Sequence, residues 1–183
     1  MRRSIAAALM SLSLAAAPAL ADQDDPRLDP LFEELQTVKD PNIAAAVEAQ
    51  IWQYWMQSRN AAVNLLMRTG IGAMEKEDYA GALISFDRIT TMAPDFAEGW
   101  NKRATVLFLL GDYSGSLTDI EKTLKLEPRH FGALAGRGLI FLQFERYDLA
   151  RDAFQKVLEV NPHSEGAKRN LEEVENKLQK NRI

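Results

Sequence analysis

Enzymatic or metal chemistry needs a nucleophile, a base or a set of ligands held within reach of one another, and this chain holds few residues of those types. It has no cysteine, and its two histidines are His130 and His163. A catalytic histidine works beside a nucleophile and an orienting group, whereas these two follow Pro128 and Pro162 at sites that read as exposed turns. A metal site would combine histidine, cysteine and carboxylates at close spacing. The acidic stretch Asp22 to Asp25 lacks the glycine and the ligand spacing of a calcium loop and is expected to be solvated. Gly136-Arg137-Gly138 falls inside an apolar helical run, so it is no phosphate loop. A hydrolytic carboxylate pair would have to draw on Glu75 and Glu98, each at a position where exposed charge is ordinary. The expectation is a protein with no catalytic residues, no metal site and no cofactor.

The elements that would position any functional residue announce themselves as a repeat. Pro94, Pro128 and Pro162 are 34 residues apart, and so are Tyr79, Tyr113 and Tyr147. Phe86, Ile120 and Phe154 keep the same interval, as do the small residues Ala82, Ser116 and Ala150 and the set Gly70, Ala104 and Gly138. The repeats are 63–96, 97–130 and 131–164. Within the middle one, Trp100, Ala104, Leu107 and Phe108 recur at helical spacing, Gly111-Asp112 interrupts, and Tyr113, Leu117, Ile120 and Leu124 recur again. Each unit is therefore a helical hairpin, and stacked hairpins bury the apolar surface that one alone leaves exposed.

The stretch AEGWNKRATVLFLLGDYSGSLTDIEKTLKLEP, 97–128, resembles a tetratricopeptide repeat, with Trp100, Ala104, Gly111-Asp112-Tyr113, Ile120 and Pro128 at the signature positions. Departures are Arg103 and Arg137 in place of leucine, Ser116 in place of alanine, and Glu77 and Glu145 where the middle repeat has Gly111. The resemblance implies an all-α solenoid wound as a right-handed superhelix, with the first helix of each hairpin lining a concave groove. It assigns to that groove Asn64, Met67, Ile71, Met74 and Glu75, then Glu98, Asn101, Thr105, Phe108 and Leu109, then Gly132, Ala135, Leu139, Leu142 and Gln143. Members of the family that bind chaperones hold a terminal carboxylate in a Lys/Asn/Arg clamp. Met67, Ile71, Ala135 and Gly136 stand in the corresponding places here, with Arg68 and Lys102 nearby, so the resemblance implies no such clamp. An apolar floor of Met67, Ile71, Met74, Phe108, Leu139 and Leu142 is suited to an amphipathic segment of another protein. The protein's own termini are the other candidates to fill it, and weak self-association is a third use.

Around the repeats, 22–62 is expected to be a linker and a degenerate hairpin, with Asp40 capping its second helix and Pro41 at the first helical position. Trp52 and Trp55 on that helix either cover the open end of the stack or serve as an aromatic anchor for a partner. In 165–183, Ala167, Leu171, Val174 and Leu178 form one apolar stripe on an otherwise charged capping helix. The first 21 residues read as a cleaved signal peptide: Arg2-Arg3, an apolar run, and Ala19-Leu20-Ala21 before a polar sequence. The run is too short and interrupted to supply the ~20 apolar residues of a membrane span. Cleavage removes two basic and no acidic residues, taking the formal charge from -4 to -6 and arguing against nucleic acid. The whole resembles small exported bacterial proteins of this repeat family. It is expected to be periplasmic or secreted, a non-enzymatic scaffold that binds an envelope protein or peptide segment. The alternative is an accessory subunit of a cell-wall or envelope enzyme, contributing to envelope integrity.

Overall fold

In the computed structural model, which describes residues 22–180, each repeat proline sits second in a four-residue turn. The turns are closed by the amides of Phe96, His130 and Ser164, which donate to the carbonyls of Ala93, Glu127 and Asn161 at 3.0, 3.1 and 3.2 Å. The fixed φ of proline suits that place. The expected leader, 1–21, and the last three residues of the expected cap, 181–183, lie outside the described residues.

The described residues form nine helices: α1 Leu28–Thr37, α2 Pro41–Trp55, α3 Ala61–Met74, α4 Tyr79–Met92, α5 Ala97–Leu109, α6 Tyr113–Leu126, α7 Phe131–Gln143, α8 Tyr147–Val160 and α9 Glu165–Lys180. The hairpins α3–α4, α5–α6 and α7–α8 stack in order, joined through α4 with α5 and α6 with α7, and α9 closes the series on α8. None of these helices is long and apolar enough to cross a membrane. Asp78 and Asp112 cap α4 and α6 by accepting the amides of Gly81 and Gly115 at 2.9 Å. Asp40 caps α2 as its sequence context implies, with Pro41 at the start of the helix.

The two helices of each hairpin cross at a small residue. A Cβ at Gly70 would lie 2.7 Å from the Phe86 ring, and one at Gly138 would lie 2.6 Å from the Phe154 ring. In the middle repeat Ala104 faces Ile120 instead, so the lost ring makes room for the added methyl. Ser116 finds an acceptor in the Ala104 carbonyl at 2.8 Å, which accounts for a hydroxyl in an otherwise apolar position. Arg103 grips Asp119 with two bonds of 2.6 and 2.8 Å, reaches back to Asp87 at 2.9 Å and lies over the Trp100 ring. That contact ties the first repeat to the second. Three residues turn the chain between helices with positive φ: Gly111 at 81°, Glu77 at 59° and Glu145 at 54°. The two glutamates carry the steric cost that glycine avoids.

The N-terminal hairpin departs from expectation. Rather than covering the open end of the stack beside α3, α1 and α2 fold back along the proline turns. Leu28, Phe32, Leu35, Ala44, Val47, Ile51 and Trp55 share one core with Phe131 and Leu134 of α7, Val157 of α8 and Ala167 of α9. Polar contacts fix the same seam: Gln36 donates to the carbonyls of Glu159 and Val160, Asn161 to Glu48, and Arg129 to Asp29. On α9, Ala167 and Val174 are buried and Leu171 and Leu178 half-buried, with Lys168 paired to Glu165. The hairpin thus braces the last repeat and the cap.

Gly138→Ala should cost about 1–3 kcal/mol of stability in urea unfolding through overpacking. Adding Phe154→Ile, the middle repeat's solution, should recover part of that loss; no recovery would mean the ring contact is not the cause. Glu145→Gly should raise stability by about 0.5–1 kcal/mol, the left-handed backbone cost less the entropy of glycine, and an unchanged unfolding midpoint would refute the strain.

Candidate binding groove

The family resemblance assigns fifteen positions to the groove, and the structure divides them. At the start of α3, Asn64 is engaged with the loop before it, donating to the Ser58 carbonyl and accepting its amide, both at 2.7 Å. Met67 is fully buried, in a core that also involves Met56, Ile71 and Met74. On α5, Glu98 and Asn101 are buried as well. Thr105, Leu109, Leu139, Gln143 and Glu75 are exposed, while Phe108, Gly132, Ala135 and Leu142 are half-buried. The apolar floor is therefore not one open strip: Met67 is fully buried, Ile71, Met74, Phe108 and Leu142 are half-buried, and Leu139 is exposed.

Over the start of α7 the groove is covered by α2. The Trp55 ring stacks on His130 with centroids 4.1 Å apart and an interplanar angle of 11°, and it is 1% exposed. It is therefore no exposed anchor. Trp52 packs edge-on against His130 and Phe131, and its ring tip lies 2.6 Å from where a Cβ at Gly132 would be. Only glycine leaves room there. Trp52 itself is half-buried.

Beneath the two indoles lies a polar cluster. His130, expected in an exposed turn, is completely buried. Its Nδ1 accepts the Ala133 amide at 3.1 Å and caps α7, which assigns the proton to Nε2. Nε2–H then donates to Glu98 Oε2 at 2.8 Å, where Asn101 Nδ2 also donates at 2.9 Å. Lys102 Nζ approaches the other carboxylate oxygen to 3.1 Å, as an ion pair without good hydrogen-bond geometry. Burial pushes the Glu98 carboxyl up, but the Lys102 charge and the His130 bond outweigh it and hold it below its ordinary value. Lys102 is spent on Glu98, so it offers no free cation to a partner's carboxylate.

The acidic segment 22–25, expected to be solvated, is exposed only at Asp24. Asp25 is buried against Arg27, Asp22 reaches Arg59, and Gln23 accepts the Ala97 amide at 3.1 Å while donating to the Asp95 carbonyl at 2.7 Å. A signal for this lies in the register. The residues before α5, α7 and α9 are Phe96, His130 and Ser164; His130 and Ser164 accept the amide three residues on, whereas phenylalanine cannot, so α5 takes its cap from elsewhere.

Comparison with known proteins agrees with this architecture. The profile of the tetratricopeptide repeat family matches residues 67–122 and 103–165. A TPR repeat-containing protein of Rhizobium etli is 37% identical over 156 residues, covering 85% of this chain and 76% of its own. Sperm-associated antigen 1 of Rattus norvegicus is 28% identical over 154 residues, which is 83% of this chain and 17% of that much longer protein. Among solved structures, the Sgt2 TPR domain from Aspergillus fumigatus superposes with a TM-score of 0.64 at 24% identity, over 68% of this chain and 84% of that one. The first TPR of Spaghetti (RPAP3), bound to an HSP90 peptide, gives 0.62 at 19% identity, over 64% and 94%. These two likenesses concern the fold.

Because the folded Glu98 carboxyl is held below its ordinary value, its contribution to stability is complete above the ordinary carboxylate range and is lost as pH falls through the folded value. Urea unfolding from pH 7 to pH 3 should therefore show a shallower loss of stability in Glu98→Gln than in the unsubstituted protein. Parallel profiles would remove Glu98 from the acid response.

Proposed function

Because the chain belongs to the tetratricopeptide repeat family, whose members are non-enzymatic protein-interaction scaffolds, we propose that it is an exported adaptor of the bacterial cell envelope. It holds a segment of another envelope protein in the open part of its groove. One observation carries the binding site: although α2 covers the groove over His130, Phe131 and Gly132, the apolar residues Phe108, Leu139 and Leu142 remain at the surface of neighbouring clefts. Exposed contiguous apolar surface in a soluble repeat marks an interaction site. Nothing in the buried cluster suits catalysis, because His130 caps a helix with one nitrogen and binds Glu98 with the other.

Export is supported by the basic start, the apolar run and Ala19-Leu20-Ala21. The residues that follow that site cap α5 and pair with Arg59, so cleavage farther along would remove contacts the fold uses.

In-cell crosslinking of the tagged protein in the envelope fraction should capture one or a few partners that the folded Phe108→Glu, Leu139→Glu double variant loses. The same captured set in both would discard the groove. N-terminal sequencing of the envelope-fraction protein should begin at Asp22; an intact Met1 start in the cytoplasmic fraction would discard export.

A further inference from the structure

We infer that the open part of the groove takes a single large apolar side chain of a partner polypeptide, seated between α5 and α7 beside Trp52, with a cationic side chain following it. This rests on the groove reading above and specifies its ligand. The seat is a cleft of about 200 Å³ whose lining includes Ala104, Gly132, Ala135 and Gly136, with Phe108 and Leu139 at its sides. Its size decides the occupant. An apolar cavity of about 150 Å³ holds a benzene ring, while small-molecule sites begin near 300 Å³. The cleft therefore has room for one aromatic or long aliphatic side chain.

Two neighbours set the direction and the chemistry of that chain. At one end, Gly132 belongs both to the cleft and to the seat of Trp52, so the cleft continues the interface that α2 already makes. Trp52, which packs against Gly132, is itself half-buried. At the other end, Phe108 and Leu139 also line a second cleft, of about 330 Å³, that carries Glu145, Glu173 and Lys177. Among the described residues none of these three makes an ion pair. Two carboxylates against one ammonium leave a net negative charge, which favours a lysine or arginine and disfavours an acidic terminus.

A random-peptide phage library selected on the purified protein tests this. Enriched peptides should share a Phe, Trp, Leu or Met followed closely by Lys or Arg. A synthetic peptide of that consensus should lose at least about tenfold in affinity, a hot-spot loss, to Leu139→Glu and to the cleft-filling Ala135→Trp. It should change tryptophan emission in the unsubstituted protein but not in Trp52→Phe. Selection on Glu145→Lys, Glu173→Lys should shift the basic position to Asp or Glu. A consensus that lacks the apolar anchor or is acidic, yet is still lost in Leu139→Glu, would overturn this ligand and leave the groove standing. No enrichment, or peptides indifferent to Leu139→Glu and Ala135→Trp, would overturn both. Enrichment of sequences matching residues 1–21, or a dimer in sedimentation that Leu139→Glu dissolves, would assign the cleft to the protein itself and overturn the partner.

Discussion

The stacking of Trp55 on His130, above the buried Glu98 carboxylate, is the contact on which the arrangement of this protein depends. It joins three separate parts of the chain: the second helix of the N-terminal hairpin, the cap of α7 and the first turn of α5. Each member needs the others. The imidazole uses one nitrogen for the helix and the other for the carboxylate. The carboxylate tolerates burial because Lys102, Asn101 and His130 surround it. An uncompensated charge in that place would be strongly destabilising. The indole covers the group from water and gains about 0.5–1.5 kcal/mol beyond its buried area as an aromatic pair.

A free-standing stack of hairpins communicates only between neighbours. Here the N-terminal hairpin adds long-range contacts, since α1 and α2 share a core with α7, α8 and α9, while Gln23 and Arg59 hold the segment before α1 near the start of α5 and the end of α2. The proline turns, evenly spaced along the sequence, become one edge against which the hairpin lies. The same brace covers the groove over the start of α7 and leaves the later turns open, so the surface offered to a partner is set by the protein's own N-terminal region.

The repeats solve the same packing problem with different residues, and each substitution has its counterpart. Phenylalanine opposite glycine becomes isoleucine opposite alanine. The serine in the middle repeat bonds the carbonyl it faces. Arg103 is matched by Asp119 and Asp87, while at the equivalent place in the third repeat Arg137 has no such partner, Ala153 and Glu121 standing in register with those aspartates. Burial without a close partner lowers the affinity of its guanidinium for the proton, with Glu121 acting weakly against it.

The sequence by itself determined the helices, their pairing and the turns between them. Those depend on interactions within 34 residues or between adjacent units: the spacing of apolar side chains, proline after each hairpin, aspartate caps, and small residues where helices cross. The family resemblance, carried along the register, also named the groove positions, including Phe108 and Leu139. Tertiary structure decided which of those positions remain available. Glu98 and His130 are 32 residues apart and neither signals the other in the sequence, and the apolar stripe of α2 shows that a face must be buried without showing against what. A hydrophobic stripe is non-directional, so the choice between the end of the stack and its proline edge rests on shape and polar complementarity: a glycine at 132 that admits Trp52, a flat imidazole for Trp55, and carbonyls at 159 and 160 within reach of Gln36.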